Sequence, residues 1–172
     1  TTGWVDNAYV NGRCYYGNIR MKDLNGDIKR MSDAMVRSEV GKPDVVCADN
    51  LVTIIEDDGE SIRALFVLGN KLLQFKEDTL YVIDTSSGYE ILENKYEKMG
   101  ARCQHAITEI PGGIVWINKY GLWQYTLNAG VRDLALDKNG NMSFEFNTAG
   151  MYRASMNDTR ELVLKIYKEE ET

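Results

Sequence analysis

The side chains that could perform acid–base catalysis are few and scattered along the chain. The 172 residues include one histidine, His105. A catalytic histidine needs a nucleophile and an orienting acid beside it, and neither a G-x-S-x-G sequence nor another nucleophile motif is present. The acids Glu56, Asp57, Asp58 and Glu60 could supply a glycosidase carboxylate pair, but charges clustered at a hairpin tip are typical of a solvated turn. The sequence therefore predicts no catalytic residue and no enzyme.

Two short acidic segments could instead bind calcium. Residues 23–27 and 137–141 share the pattern D-x-N-G-[DN], which places oxygen ligands at alternate positions. An EF-hand loop has its glycine at position six and a glutamate at position twelve, whereas the glycine here stands fourth. Asn-Gly is also a strong signal for a tight hairpin turn. We interpret both segments as hairpin turns and keep calcium as the alternative.

The three cysteines are too far apart for a metal site. Cys14, Cys47 and Cys103 form no C-x-x-C pair, and their odd number leaves at least one outside any intrachain disulfide. Zinc needs several Cys or His ligands at short spacing. We expect reduced cysteines in core or half-core positions, no metal and no cofactor.

Charge and hydropathy narrow the range of partners. The formal net charge is −6, and 44% of the residues are hydrophobic. A nucleic-acid-binding chain usually carries a basic surface, so the composition argues against sequence-specific nucleic-acid binding. No apolar run approaches the length of a membrane span, and we expect no membrane partner. The sequence starts with neither an initiator methionine nor a signal peptide, so we expect a processed chain or a piece of a longer one.

The pattern along the chain is one of short strands joined by polar turns. Asn11-Gly12 predicts a two-residue hairpin turn between β-branched and aromatic residues. A short strand over 36–40 is predicted to end at Lys42-Pro43-Asp44, since proline cannot donate to a β-ladder. Four consecutive strands then suggest one antiparallel meander, and they are predicted at 51–55, 62–68, 72–75 and 80–83. The segment 105–110 alternates like a further strand, and residues 131–134, 151–155 and 162–167 are also strand-like.

An internal repeat points to propeller-type blades. Residues 72–84 align with residues 114–126 at an offset of 42, which places Phe75 and Trp116 one position apart. Repeats with a period in the forties are typical of four-stranded blades. We therefore predict one all-β region over 1–172 with about three blades of a β-propeller. The blades are placed at 4–46, 51–92 and 103–136, with 144–167 starting or closing another. A two-sheet β-sandwich is the alternative.

Aromatic residues are concentrated in the second copy of the repeat. Strand alternation places Trp123 and Tyr125 on one face of the strand. Aromatic side chains are enriched both in cores and at binding hot spots. Tyr120, Trp123 and Tyr125 are thus the candidate interface aromatics, and core packing is the alternative.

Three segments together resemble a known family. Residues 69–83, 100–107 and 113–125 are similar to propeller-type structural proteins of tailed-bacteriophage virions, namely tail-hub and head–tail stabilisation proteins. Residues 11–13 and 38–44 also fit that resemblance, which covers roughly residues 5 to 135.

The resemblance implies a role in particle assembly and no active site. It implies a virion protein of the tail or head–tail connector, made in the host cytoplasm, that binds other virion proteins and forms a homo-oligomer or part of a larger assembly. An arc of about three blades would expose two sheet edges, so missing sequence or another chain should complete it. A receptor- or glycan-binding propeller module of a tail fibre is the alternative function.

Overall fold

The computed structural model describes residues 3–22, 25–55, 58–134, 151–156 and 162–167, and for the last two ranges it describes the course of the backbone. Within these ranges the chain is almost entirely β-structure, which confirms the predicted fold class. Three four-stranded antiparallel sheets follow one another along the chain, and a two-stranded hairpin comes after them.

Each sheet is a meander in which every strand pairs with the next strand in sequence. Sheet 1 contains β1 (Asp6–Val10), β2 (Arg13–Lys22), β3 (Ile28–Glu39) and β4 (Lys42–Val52). Sheet 2 contains β5 (Ala64–Leu68), β6 (Lys71–Phe75), β7 (Thr79–Asp84) and β8 (Ile91–Glu97). Sheet 3 contains β9 (Ile107–Ile110), β10 (Gly113–Asn118), β11 (Gly121–Thr126) and β12 (Gly130–Asp133). The final hairpin contains β13 (Met151–Met156) and β14 (Leu162–Tyr167).

The internal repeat corresponds to the central hairpins of sheets 2 and 3. Strand β10 begins 42 residues after β6, and β11 begins 42 residues after β7. The aromatic residues of the two copies meet between the sheets, because the rings of Phe75 and Trp116 lie edge to face with centroids 5.1 Å apart. The offset read from the sequence is therefore a structural repeat.

Sheet 2 is the middle layer of the stack and buries both of its faces. One face packs on sheet 1 through a cluster that includes Tyr15, Met35, Leu72 and Ile83. The other face packs on sheet 3 through a cluster that includes Leu73, Phe75, Ile114 and Trp116. Because β6 and β7 are covered on both sides, they read as continuous apolar runs rather than alternating ones. Three stacked sheets differ from the two-sheet sandwich considered above.

The first and second meanders divide at a different place from the predicted one. Leu51 and Val52 are the last residues of β4, and the first strand of sheet 2 begins at Ala64 rather than at residue 51. The apolar run over 51–55 suggested a strand because Val52 and Ile54 pack against the core shared by sheets 1 and 2. The predicted second meander consequently lacked its true fourth strand, β8.

Proline 43 does not end the pairing that begins in β3. It is the second residue of β4, which pairs with β3 on one side only and leaves the other edge open. An edge strand tolerates proline because the missing donor can face away from the sheet. The predicted strand does end near this place, at Glu39, but residues 42–44 begin the next strand, and only the tight turn at Gly41, with φ of 71°, separates the two.

The hairpin turn predicted at Asn11-Gly12 is confirmed. Both residues have positive φ, 50° and 78°, and they join β1 to β2 as predicted. Asn25 and Gly26 lie in the connection between β2 and β3, where Gly26 has φ of 89°. The second Asn-Gly segment, 137–141, lies outside the described residues.

Candidate interaction surface

The tip of the β10–β11 hairpin is held by a single side chain. Asn118 Oδ1 accepts hydrogen bonds from the backbone N–H of Tyr120 and Gly121 and from the indole N–H of Trp123, at 2.8, 3.2 and 3.1 Å. Its Nδ2 donates to the carbonyl oxygens of Lys98 and Gly100, at 2.9 and 2.8 Å. The amide thereby fixes the hairpin tip to the segment that leads from sheet 2 to sheet 3.

The three candidate aromatics of this hairpin lie in different environments. Trp123 and Tyr125 share a face, as alternation predicted, and that face is turned towards sheet 2. Tyr125 is buried in the core cluster and Trp123 packs half-buried against it. Burial raises the pKa of Tyr125. Tyr120 is 46% exposed at the tip, and the Nζ of Lys119 lies 4.8 Å from its ring centroid.

Next to this tip a polar cleft of about 350 Å³ opens between sheets 2 and 3. Its lining comes from four separate segments: the residue before β5, the β6–β7 turn, the link before β9 and the β10–β11 turn. The lining residues are Arg63, Glu77, Asp78, Arg102 and Lys119. We call this site the basic cleft, since three of its five charged side chains are cations.

The link between the sheets forms one wall of the basic cleft. Gly100 N–H donates to the carbonyl of Asp78 at 3.0 Å, and Ala101 N–H donates to the carbonyl of Lys76 at 3.0 Å. A Cβ atom at Gly100 would lie 2.5 Å from the Lys76 oxygen, so this close approach requires glycine. The two bonds place Arg102 beside the β6–β7 turn.

The cations of the basic cleft differ in their pairing. Arg63 forms an ion pair with Glu77, and Lys119 forms one with Asp78 at 2.8 Å. The hydrogen bond that Lys119 donates to Asp78, together with the interaction with Tyr120, raises the pKa of Lys119. Arg102 is exposed and has no hydrogen bond or ion pair to the residues that the structure describes. Arg63 Nε is shielded from solvent and likewise donates to none of them.

A second surface lies on sheet 1, on the side that faces away from sheet 2. The register of β1 to β4 places Tyr9, Tyr16 and Leu51 on this side, together with the buried Cys14 and Val36. Val5 precedes β1, and the ring of Trp4 packs edge to face on Tyr16 with centroids 4.8 Å apart. Trp4, Val5 and Tyr9 are 50%, 53% and 58% exposed. We call this apolar surface the outer face of sheet 1.

Two residues of the acidic run, Asp58 and Glu60, anchor the β6–β7 turn. Glu60 accepts hydrogen bonds from the N–H of Asp78 and from the N–H and hydroxyl of Thr79, at 2.9, 3.0 and 2.7 Å. Asp58 pairs with the fully buried Lys76. The expected solvated tip is therefore a set of anchors for the β6–β7 turn, and Glu56 and Asp57 lie outside the described residues.

The remaining candidate residues do not come together. His105 is exposed in a short 3-10 turn, Gln104–Ala106, and the predicted strand begins only at Ile107. Cys14 is buried as expected, whereas Cys47 and Cys103 are exposed, and all three are free thiols. The described part of the chain contains no cluster of three His, Cys, Asp or Glu side chains that could hold a metal ion.

Sequence reasoning did not identify the basic cleft or the outer face of sheet 1. The five cleft residues span positions 63–119 and share no motif; only stacking of two sheets brings them together. One signal in the sequence pointed to the basic cleft. Glu77 and Lys119 occupy equivalent positions of the 42-residue repeat, in the central hairpin turns of neighbouring sheets.

No protein-family model matches the chain, and no curated protein matches it in sequence. No helix among the described residues is both long and apolar enough to cross a membrane.

Proposed function

We propose that this protein is a non-enzymatic structural subunit that acts by assembling with other protein chains. The observation that supports this most is the outer face of sheet 1. It presents Trp4, Val5 and Tyr9, each at least half exposed, on the same sheet whose other face is fully packed. Large exposed apolar side chains gathered on one sheet face, here with Asn7 among them, are typical of a protein interface.

The occupant we propose for this face is another β-sheet. Sheet 2 shows how these meanders pack, since it covers sheet 1 on one side and sheet 3 on the other. On the far side of sheet 3, the alternation of β10 turns Val115 and Ile117 away from sheet 2, and Ile117 is 56% exposed. The two ends of the stack therefore offer unlike apolar faces, which favours head-to-tail contact between copies.

The free sheet edges are less suited to association than the faces. Strand β8 carries Glu93, Lys95 and Glu97 along its exposed length, and β4 carries Lys42 and Pro43 at its start. Charges and proline on an edge strand oppose edge-to-edge pairing. Growth of the assembly by face-to-face stacking is consistent with this pattern.

Face-to-face stacking of four-stranded meanders is the arrangement of propeller blades, and we infer that the complete assembly closes as a β-propeller or a ring of such arcs. The resemblance to propeller-type proteins of tailed phages supports a place in the tail or head–tail connector of a virion, with other virion proteins as partners.

The test is the oligomeric state in solution, measured by light scattering after size exclusion. The native chain is expected to self-associate, and Tyr9→Glu is expected to dissociate it by placing a charge on the outer face of sheet 1. Tyr89→Glu is the matched control, since Tyr89 is 73% exposed in the β7–β8 connection and lies on neither end face. A native chain that stays monomeric at the highest concentration reached, or equal effects of both variants, contradicts the proposal.

Glycan binding is the second candidate function, and the Trp4–Tyr16 pair is the observation that favours it. An exposed aromatic ring can stack on a sugar, and Asn7 is an exposed polar neighbour on the same face. A glycan array distinguishes the two functions: saturable binding that is lost in Trp4→Ala supports this alternative, and an array without signal removes it.

A further inference from the structure

We propose that the basic cleft is a docking site for the carboxylate side chains of an acidic segment on a neighbouring subunit. This inference rests on the assembly function proposed above and names the chemistry of one contact within it. The anchor is Arg102, with Arg63 and Lys119 beside it.

The first argument is the surplus of positive charge in the basic cleft. The chain as a whole carries a net charge of −6, yet the cleft holds three cations against two anions. Lys98 adds a further cation near the rim, with its Nζ 6.0 Å from the Tyr120 ring centroid. An anionic group is therefore attracted to this place on an otherwise acidic molecule.

The second argument is the unused hydrogen-bonding capacity of the two arginines. A guanidinium group presents five N–H donors in a planar fork that matches a carboxylate. Arg102 donates to no described residue, and Arg63 uses its terminal nitrogen for Glu77 while its shielded Nε donates to none. The exposed guanidinium of Arg102 can therefore take up a bound carboxylate without breaking an existing ion pair.

The third argument concerns the kind of anion. Glu77 and Asp78 lie in the same cleft, and their negative charges oppose a multiply charged phosphate or a nucleic-acid backbone more than a single carboxylate. Tyr120 beside Lys119 adds an exposed ring on which the aliphatic part of a peptide can pack. A peptide segment that places one Glu or Asp carboxylate in the cleft, with its other acids outside it, matches both properties.

The site is also preformed rather than dependent on a partner to shape it. Asn118 fixes the hairpin tip that carries Lys119 and Tyr120, and the backbone bonds of Gly100 and Ala101 fix the segment that carries Arg102. A preformed site binds with less loss of conformational entropy.

The test is ligand-observed NMR with three probes: Glu-Glu-Glu and Gln-Gln-Gln, each acetylated at the N-terminus and amidated at the C-terminus so that only side chains differ in charge, and inorganic phosphate. We expect the Glu peptide to bind the dissociated Tyr9→Glu variant, in which no neighbouring copy fills the cleft, the Gln peptide not to bind, and phosphate to bind more weakly than the Glu peptide. Arg102→Ala should weaken binding about tenfold, since one charge-assisted contact is lost. Lys42→Ala, which removes an exposed cation from the β3–β4 turn, should leave the affinity unchanged.

Three results would overturn the inference: no binding of the Glu peptide, equal binding by the Arg102→Ala variant, or tighter binding of phosphate. Light scattering on the same samples distinguishes a failure of the proposed docking site from a failure of the proposed assembly function. If the dissociated Tyr9→Glu variant, whose cleft is not filled by a neighbouring copy, does not bind the peptide, the docking site is overturned, and self-association of the native chain leaves the assembly function standing.

Discussion

Lys76 and Asp58 form an ion pair whose cationic side is closed to solvent. The Nζ of Lys76 lies 2.6 Å from Oδ2 of Asp58, and the side chains are 0% and 14% exposed. The Tyr81 hydroxyl donates to the same carboxylate oxygen at 2.9 Å, and Nζ also lies 5.2 Å from the centroid of the Tyr81 ring. This group ties the segment before sheet 2 to the β6–β7 turn.

Loss of the acid from this pair should be strongly destabilising. Asp58→Ala leaves the ammonium group of Lys76 buried without its counter-ion, and we expect a loss of about 3 kcal/mol in the free energy of unfolding, measured by urea denaturation. Lys76→Met should cost less, because it removes the buried charge and fills the space with an apolar chain. Glu77→Ala is the control, and its exposed pair with Arg63 should contribute less than about 1 kcal/mol. Equal losses in all three variants would contradict this account.

Low pH should destabilise the fold by protonating the carboxylate of Asp58. Burial acts to raise the pKa of Asp58, but hydrogen bonds from Lys76, the Glu60 N–H and Tyr81 outweigh it, and the pKa is lowered. The folded chain thus binds this proton less readily than the unfolded chain. The stabilisation is present above the unfolded-state value of 3.8 and is lost as the pH falls below it.

The measurement is the urea midpoint followed from pH 6 to pH 2.5. Asp84, whose pKa is lowered by hydrogen bonds from Lys71 and Ser86, should contribute in the same direction. The native chain should lose stability steeply below about pH 4, and Asp58→Asn should show a shallower slope in that range. Parallel curves for the two proteins would show that Asp58 does not titrate with folding.

A polar clamp between sheets 1 and 2 should resist substitution more than a surface pair does. Glu90 accepts hydrogen bonds from Arg37 and from the Tyr15 hydroxyl, all at 2.7 Å, and burial together with this acid raises the pKa of Tyr15. Glu90→Gln removes the charge opposite Arg37, and we expect a loss of about 2 kcal/mol in unfolding experiments. Glu93→Gln, on the exposed neighbouring strand, should change stability by less than about 1 kcal/mol. A larger effect of the Glu93 substitution would refute the clamp.

The hairpin tip depends on both ends of the Asn118 amide. Asn118→Ala removes five hydrogen bonds, and a loss of about 2 kcal/mol is expected, with a shifted indole N–H resonance of Trp123 in NMR spectra. Asn118→Asp keeps an acceptor for the tip but sets an oxygen against the carbonyls of Lys98 and Gly100. It should therefore be no more stable than Asn118→Ala. If Asn118→Asp were as stable as the native chain, the two hydrogen bonds that Asn118 donates to Lys98 and Gly100 would contribute nothing to stability. Asn94→Ala, on the exposed strand β8, is the neutral control.

The parts of the fold that could be predicted are those whose signals are local. The Asn11-Gly12 turn and the hairpins at 42-residue spacing follow from turn chemistry and apolar patterning within a few residues. Strand β8 was missed because Ile91–Glu97 is an exposed outer strand with mostly polar residues and no buried run. The segment forms a strand because it pairs with β7, and no pattern within residues 91–97 predicts that pairing.

Buried charge and long-range contact explain the rest of what sequence reasoning missed. Lys76 follows Phe75 in a segment that looks like any strand end, and its burial depends on Asp58, 18 residues earlier. The basic cleft forms only when two sheets stack, so no short segment of the sequence could predict it. In contrast, the shared face of Trp123 and Tyr125 was predictable, although only the packing shows that it is turned inward.

The middle position of sheet 2 has a consequence for the timing of synthesis. Sheet 1 leaves the ribosome before sheet 2, which covers its inner apolar surface, with Tyr15 and Met35, only after residues 64–97 have followed. At about 5–20 residues per second, this interval lasts several seconds. During that time the inner face of the nascent sheet lacks its cover, so the growing chain is prone to aggregate and to bind chaperones until its second meander emerges.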